Sequence, residues 1–243
     1  MTISISTGCC FDLKLTRLES IHFLEKYSSL IDGVELLFAT PKELIEFELD
    51  AKSKNFLKSK QFVTIHMPFD EVEYKNDKTT EELIEKTENL SKEIKINYIL
   101  FHPNKVTNFD SLKSTIPIVI ENMNKKLEET GYTTVKEMKR LFDKYPDFGF
   151  VLDTSHTLGN NINPIDFLIL KNKLKGIHSS GQWIKKGNLK EHGFLIEGEK
   201  EQLEKLKPVL ELNVPKVIEC DFYPKKVPLI EQEIQLIKQL EKH

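Results

Sequence analysis

Short β-branched, apolar runs alternate along the chain with longer charged, amphipathic runs. The apolar runs are Ile3–Thr7, Gly33–Phe38, Phe62–His66, Tyr98–His102, Ile116–Glu121, Phe148–Asp153, Leu174–His178 and Lys216–Glu219; each has the length and composition of a strand. Helices are predicted between them. Thr40 is placed as an N-cap, with Pro41 at N1 and Glu43 at N3. A helix starts near Thr80, with Glu81 and Glu82 in its first turn. Thr133–Tyr145 carries Val135, Met138, Leu141 and Phe142 at three-four spacing, Asn163-Pro164 opens another helix, and Glu199–Leu212 and Val227–Leu240 supply the last two. Strand and helix in eightfold alternation is the pattern of a (β/α)8 barrel. Glu35 and Glu219 end strands two and eight and lie 184 positions apart over six units, about 31 residues each, which suits a βα unit. Only 19 positions separate His102 from Glu121, so the fourth helix should shrink to a turn or two around Phe109–Ser114. No Pro/Gly/Ser-rich linker divides the chain, and residues 1–243 are expected to form one domain. The competing architecture, a doubly wound open sheet, usually carries a Gly-rich phosphate loop after its first strand. Here that position reads Thr7-Gly8-Cys9-Cys10-Phe11.

The strand ends carry the chemistry. Seven strands end in Glu35, His66, His102, Glu121, Asp153, His178 and Glu219. Side chains alternate along a strand, so each shares a face with the residue two before it: Gly33, Thr64, Leu100, Val119, Val151, Gly176 and Val217. That set is mostly small or apolar and suits a barrel interior. The intervening Val34, Ile65, Phe101, Ile120, Leu152, Ile177 and Ile218 are large and apolar, and suit the layer under the helices. One phase serves every strand, and it sends seven polar side chains to the C-terminal mouth, where barrel enzymes keep their catalytic groups. Gathering Glu35, Glu121, Asp153 and Glu219 there is costly through repulsion and lost hydration. A divalent cation with interleaved imidazoles removes that cost, and the mixed His/Asp/Glu set suits Zn, Mn or Fe. Five of the seven histidines, His66, His102, His156, His178 and His192, fall at strand ends or in mouth loops; His22 and His243 are assigned no role.

Composition narrows the partners. Lys+Arg 35 against Asp+Glu 38 leaves a net charge of −3, which argues against whole-surface nucleic-acid binding but leaves room for a local basic patch. Three cysteines, Cys9, Cys10 and Cys220, are not a disulfide framework and are expected as reduced thiols. No run approaches the roughly 18 apolar residues of a membrane helix, and the N-terminus lacks a secretory pattern, so no membrane partner and a cytoplasmic location are expected. The loop after strand seven holds Trp183, Lys185, Lys186 and Lys190, either an aromatic platform with a phosphate-binding patch or an ordinary solvated loop.

Taken in order, His66-Met67-Pro68-Phe69, His102-Pro103, Glu121-Asn122, Leu152-Asp153-Thr154-Ser155-His156, Ile177-His178-Ser179, His192 ahead of Glu197-Gly198-Glu199, and Ile218-Glu219 resemble the xylose isomerase-like barrel superfamily. That superfamily includes sugar isomerases and epimerases and apurinic endonucleases of the endonuclease IV type. The isomerase branch implies one metal on residues like Glu121, Asp153, His178 and Glu219. Glu121 and Glu219 would then transfer the proton through a metal-stabilised enediolate, with His156 on a substrate oxygen. The endonuclease branch implies up to three ions: His66, His102 and Glu121 at one; Glu121, Asp153, His178 and Glu219 at a second; His156, His192 and an Asp two residues earlier at a third. That last position is Lys190, which cannot ligate a cation; Glu191 is adjacent, with a different direction. Ser179 also stands where an acidic residue is more usual. The leading expectation is a divalent-metal-dependent sugar or sugar-phosphate isomerase/epimerase with one to three ions of Zn, Mn or Fe. The alternatives are an endonuclease IV-like phosphodiesterase, under which nucleic acid is the partner, or a barrel that binds metal or ligand without catalysis. Glu35, His156, Trp183, Lys185, Lys186 and Lys190 are the candidate substrate contacts. Related barrels often pair, so a homodimer is a candidate assembly.

Overall fold

The computed structural model describes residues 2–124, 131–185 and 188–240. Strands β1 (Ile3–Ser6), β2 (Gly33–Leu37), β3 (Phe62–His66), β4 (Tyr98–Phe101), β5 (Ile118–Glu121), β6 (Gly149–Asp153), β7 (Leu174–Ser179) and β10 (Lys216–Ile218) pair in parallel and close a barrel in the order β1-β10-β7-β6-β5-β4-β3-β2. Each agrees with its expected apolar run to within about two residues. The cylinder closes where β1 meets β10, with Ile3 beside Lys216 and Ile5 beside Ile218.

The expected phase is the observed one. Phe62, Tyr98, Leu100, Val119, Val151 and Val217 form a buried cluster of their own, the packed plug inside the cylinder. Val34, Ile65, Phe101, Ile120, Leu152, Ile177 and Ile218 belong to the larger cluster beneath the helices. Fully burying each aliphatic side chain of the plug contributes about 1.5–3 kcal/mol. The plug leaves no room at Gly33, where a Cβ would lie 2.2 Å from the Phe62 carbonyl oxygen and 2.3 Å from Ser4 Oγ.

The helices follow their caps. Thr40 accepts from the Glu43 amide to start α2 (Pro41–Ile45). The segment expected as one helix then breaks, because Asp50 caps a second, α3 (Ala51–Lys58), through the Ser53 amide at 2.6 Å. Before them lies α1 (Arg17–Leu24); after them come α4 (Lys78–Glu93) and α5 (Val135–Lys144). The fourth unit does shrink, to 3₁₀ turns at Pro103–Lys105 and Phe109–Ser111. Asn163-Pro164 opens a 3₁₀ segment, Pro164–Leu170, in place of an α-helix. A short helix, α6 (Thr154–Gly159), starts directly on the Asp153 side chain, and α7 (Lys200–Leu210) and α8 (Ile230–Leu240) complete the ring. The stretch after β7, expected as a loop, contains an antiparallel hairpin of β8 (Gly181–Lys185) and β9 (Asn188–Gly193). None of the described helices is long and apolar enough to cross a membrane.

Candidate metal centre

Each candidate ligand stands at or just past the C-terminal end of a strand, and cross-strand hydrogen bonds hold those ends. The Asn122 side chain clamps the Asp153 backbone, accepting from its amide at 2.8 Å and donating to its carbonyl at 3.1 Å. Thr154 Oγ1 donates to the Ser180 carbonyl at 2.7 Å and accepts from the Ser180 amide at 3.1 Å, tying β6 to β7.

Glu121 is the centre of the arrangement. Its Oε2 faces His66 Nε2 at 3.5 Å and His102 Nε2 at 3.3 Å; its Oε1 faces His178 Nδ1 at 3.1 Å. His178 Nδ1 also lies 2.7 Å from Glu219 Oε2 and 4.0 Å from Asp153 Oδ2. Three sets therefore form whose ligand atoms all lie within 4.8 Å of one another: His66, His102 and Glu121; Glu121, Asp153, His178 and Glu219; His156, Glu191 and His192. The first two share Glu121.

The imidazole hydrogen bonds fix which nitrogen each ring offers. A carbonyl oxygen only accepts, so Nδ1 carries the proton in His66, bonded to the Met67 carbonyl at 3.0 Å, in His156, bonded to the Asn122 carbonyl at 2.8 Å, and in His192, bonded to the Glu219 carbonyl at 3.1 Å. Their Nε2 lone pairs are left for the clusters. His178 is turned the other way: Nε2 donates to Glu35 Oε2 at 3.2 Å, and Nδ1 faces the acids.

This donor set fits divalent cations. Ligands about 2.0–2.2 Å from a tetrahedral ion lie about 3.3–3.6 Å apart, and the Glu121–His66 and Glu121–His102 separations are 3.5 and 3.3 Å. Glu121 Oε2 and Asp153 Oδ2 are buried without a hydrogen-bond partner, a cost that a bound cation removes. Without one, protons carry the compensation. Burial opposes charge on His178, yet Glu219, Glu35 and Glu121 outweigh it and hold that imidazole well above its usual range. Burial would raise Glu219, yet His178 brings it down to about 2. Burial lifts Asp153 to about 7 against the pull of His156. His156 reaches about 9 because Asp153 and Glu121 overcome its burial.

The third set forms differently from the sequence expectation. Lys190 is exposed and pairs in register with Trp183 across the hairpin. Strand alternation turns the next residue, Glu191, to the other side. His192 has φ 53°, and this left-handed step interrupts the alternation so that Glu191 and His192 both face His156. Glu191 is accommodated by Gly159, where a Cβ would lie 2.9 Å from Glu191 Oε1.

A cavity of about 370 Å³ opens over the first and third sets, bounded by Phe11, Leu37, Phe69 and Met123 on its apolar side and by His66, His102, Glu121, His156, His192 and Glu219 on the other. The Phe69 ring stacks on His102 at 5.1 Å. Two of the expected substrate contacts lie away from this cavity. Glu35 is fully buried behind His178 and does not line this cavity, and Lys190 does not line it either. The side chains of Trp183 and Lys185, and the whole of Lys186, lie outside the described residues. Sequence reasoning missed the clamp role of Asn122, and it missed Asp221, which lines the cavity and whose carboxyl burial lifts to about 6. Asp221 lies two positions after Glu219, so extending the strand-eight alternation would have found it. Cys9, Cys10 and Cys220 are free thiols, all buried.

Among solved structures, the chain resembles a D-tagatose 3-epimerase-like protein (16% identity, 98% of this chain and 99% of that one, TM-score 0.65). It also resembles endonuclease IV from Thermus thermophilus (13%, 98% and 99%, TM-score 0.65). A third is the probable 3-DHS dehydratase AsbF of Bacillus anthracis (15%, 98% and 99%, TM-score 0.72). At these identities the likeness concerns the fold, which hosts several chemistries. No curated protein sequence matches the chain significantly. The model of the xylose isomerase-like TIM barrel family matches residues 109–240, the stretch that runs from β5 to α8 and carries Glu121, Asp153, His178 and Glu219; the chain belongs to that family.

Proposed function

We propose that this protein is a divalent-metal-dependent phosphodiesterase of the apurinic-endonuclease type. The observation that carries the reading is the shared carboxylate: Glu121 turns one oxygen to His66 and His102 and the other to His178. A one-metal isomerase has no use for the first set or for the third. Bound there, paired cations would supply an activated water and neutralise charge on the phosphoryl oxygens. The chain's own residues would do the rest. Glu121 spaces the two positions, Asp153 and Glu219 complete the second, and the Nδ1–H bonds of His66, His156 and His192 keep their lone pairs aimed. Phe11, Leu37 and Phe69 limit water at the apolar wall.

A second reading, a sugar or sugar-phosphate isomerase/epimerase, is favoured by the cavity itself. It is small, and no Lys or Arg is among its described lining residues, which suits a small polyol better than a polyanion. In that reading Glu121 and Glu219 would exchange the proton.

The test is metal analysis of the purified protein beside two assays: incision of an abasic duplex and epimerisation of ketoses. Two or more ions per chain, with incision abolished in Glu121→Ala, is the expected result. One ion with ketose turnover would replace the proposal by the second reading. Metal binding with neither activity would leave a non-catalytic metal-binding barrel.

A further inference from the structure

Glu35 is a carboxylate fully buried inside a barrel, and the mouth cavity does not reach it. It belongs to β2, yet its partner His178 belongs to β7, three places round the closed sheet. The contact therefore crosses the interior, 3.2 Å from Glu35 Oε2 to His178 Nε2. Thr64 Oγ1, on the neighbouring strand, donates to the same Oε2 at 3.1 Å and holds it in place. Gly33 and Gly176 sit two positions before Glu35 and His178, and the space beside them is filled by Phe62 and Ser4 and by the Tyr98 hydroxyl.

A buried carboxylate with one hydroxyl and one imidazole N–H is an expensive group to keep. A backbone carbonyl, as used by His66, His156 and His192, would fix the tautomer without that cost. The charge becomes favourable when the opposite ring nitrogen meets a cation, because the imidazole then transmits the attraction and its N–H bond becomes charge-assisted. We propose that Glu35 is a positioning residue: it locks the His178 ring with Nδ1 toward Glu121, Asp153 and Glu219, and strengthens that nitrogen as a ligand for a divalent cation. The inference rests on the metal binding in the reading above and not on the reaction.

The test is titration of the chelator-treated protein with Co²⁺, followed by its visible spectrum and by competition with a chelator, for wild type, Glu35→Gln and Glu35→Leu. Gln keeps an acceptor and loses the charge, so affinity at one ion should fall about tenfold; Leu removes both, and the loss should be nearer 100-fold. The loss should fall on one ion only, because backbone carbonyls hold His66, His156 and His192 and His102 is stacked on Phe69, none of them through Glu35. A merely structural role would weaken all ions together and lower the melting temperature of both metal-free variants. Wild-type affinity in Glu35→Gln, or an equal loss at every ion, overturns the proposal, and the Gln variant decides if Glu35→Leu does not fold. Wild type that binds no Co²⁺ overturns both this proposal and the metal-dependent function, whereas wild-type binding with unaffected variants overturns this one alone.

Discussion

The Asn122 clamp offers the clearest quantitative prediction, because it does not depend on any ligand. Its side chain makes two buried bonds to the Asp153 backbone, at 2.8 and 3.1 Å, and both residues are buried. Asn122→Ala removes a partner from one buried amide and one buried carbonyl. Each such group costs about 1–3 kcal/mol, so roughly 4 kcal/mol is expected for the two. A domain of this size loses about 2–4 °C per kcal/mol, so melting should fall by roughly 8–16 °C. Asn122→Asp tests the mechanism: it keeps an acceptor for the Asp153 amide, but it sets an oxygen against the Asp153 carbonyl and adds a buried charge, so it should be no more stable than Ala. Asn89→Ala is the control, since Asn89 is exposed and its side chain accepts from the exposed Lys92; it should stay within about 0.5 kcal/mol. The assay is thermal melting by circular dichroism in chelator, which removes stabilisation by bound metal. If Asn122→Ala melts within about 2 °C of Asn89→Ala, the bonds do not carry the strand ends and the reasoning is wrong.

Two further predictions concern the clusters. Folded Asp153 sits at about 7 against an ordinary 3.8, and folded His156 at about 9 against 6.5. Both bind protons more tightly folded than unfolded, so their contribution is complete below the unfolded values and is lost as pH rises through the folded ones. The two groups lie 3.8 Å apart and titrate as a pair. Glu219 has the opposite sign, but its window lies below pH 4.5. The urea midpoint of metal-free protein should therefore fall from pH 6 to pH 9, and a flat or rising midpoint would count against the assignment. At the third set, Gly159→Ala puts a Cβ 2.4 Å from Asn124 Nδ2 and 2.9 Å from Glu191 Oε1. It should lower the metal content by one ion per chain, and an unchanged count would mean that Glu191 is no ligand.

Much of this molecule was legible because one period-2 phase fixes two things at once. The alternation that puts Leu100, Val119, Val151 and Val217 inside the barrel also puts His102, Glu121, Asp153 and Glu219 at its mouth. Depth within the mouth was not legible. Glu35 has the same phase as Glu121 and looked equally able to meet substrate, yet β2 reaches Leu37, two residues beyond Glu35. Glu35 thus sits one layer lower than Glu121, which ends β5. Phase tells which way a side chain points; only register between strands tells how high it sits.

The third set shows where spacing arguments fail for a different reason. Reading Lys190 as the lost ligand assumes that the segment before His192 is extended, so that positions 190 and 192 share a face. That is true of an ideal strand. It fails here because His192 has a positive φ of 53°, and a single left-handed residue reassigns the face to Glu191. A histidine takes that conformation at some cost, and its own two donors are both anchored: its amide donates to Ser155 Oγ at 3.2 Å and its Nδ1 to the Glu219 carbonyl at 3.1 Å. Both anchors belong to segments that carry other candidate ligands, Asp153 and His156 on one side and Glu219 on the other. The backbone conformation that rescues the third set is therefore imposed by segments that carry Asp153 and Glu219 of the second, and the acidic residue moves by one position without the cluster being lost.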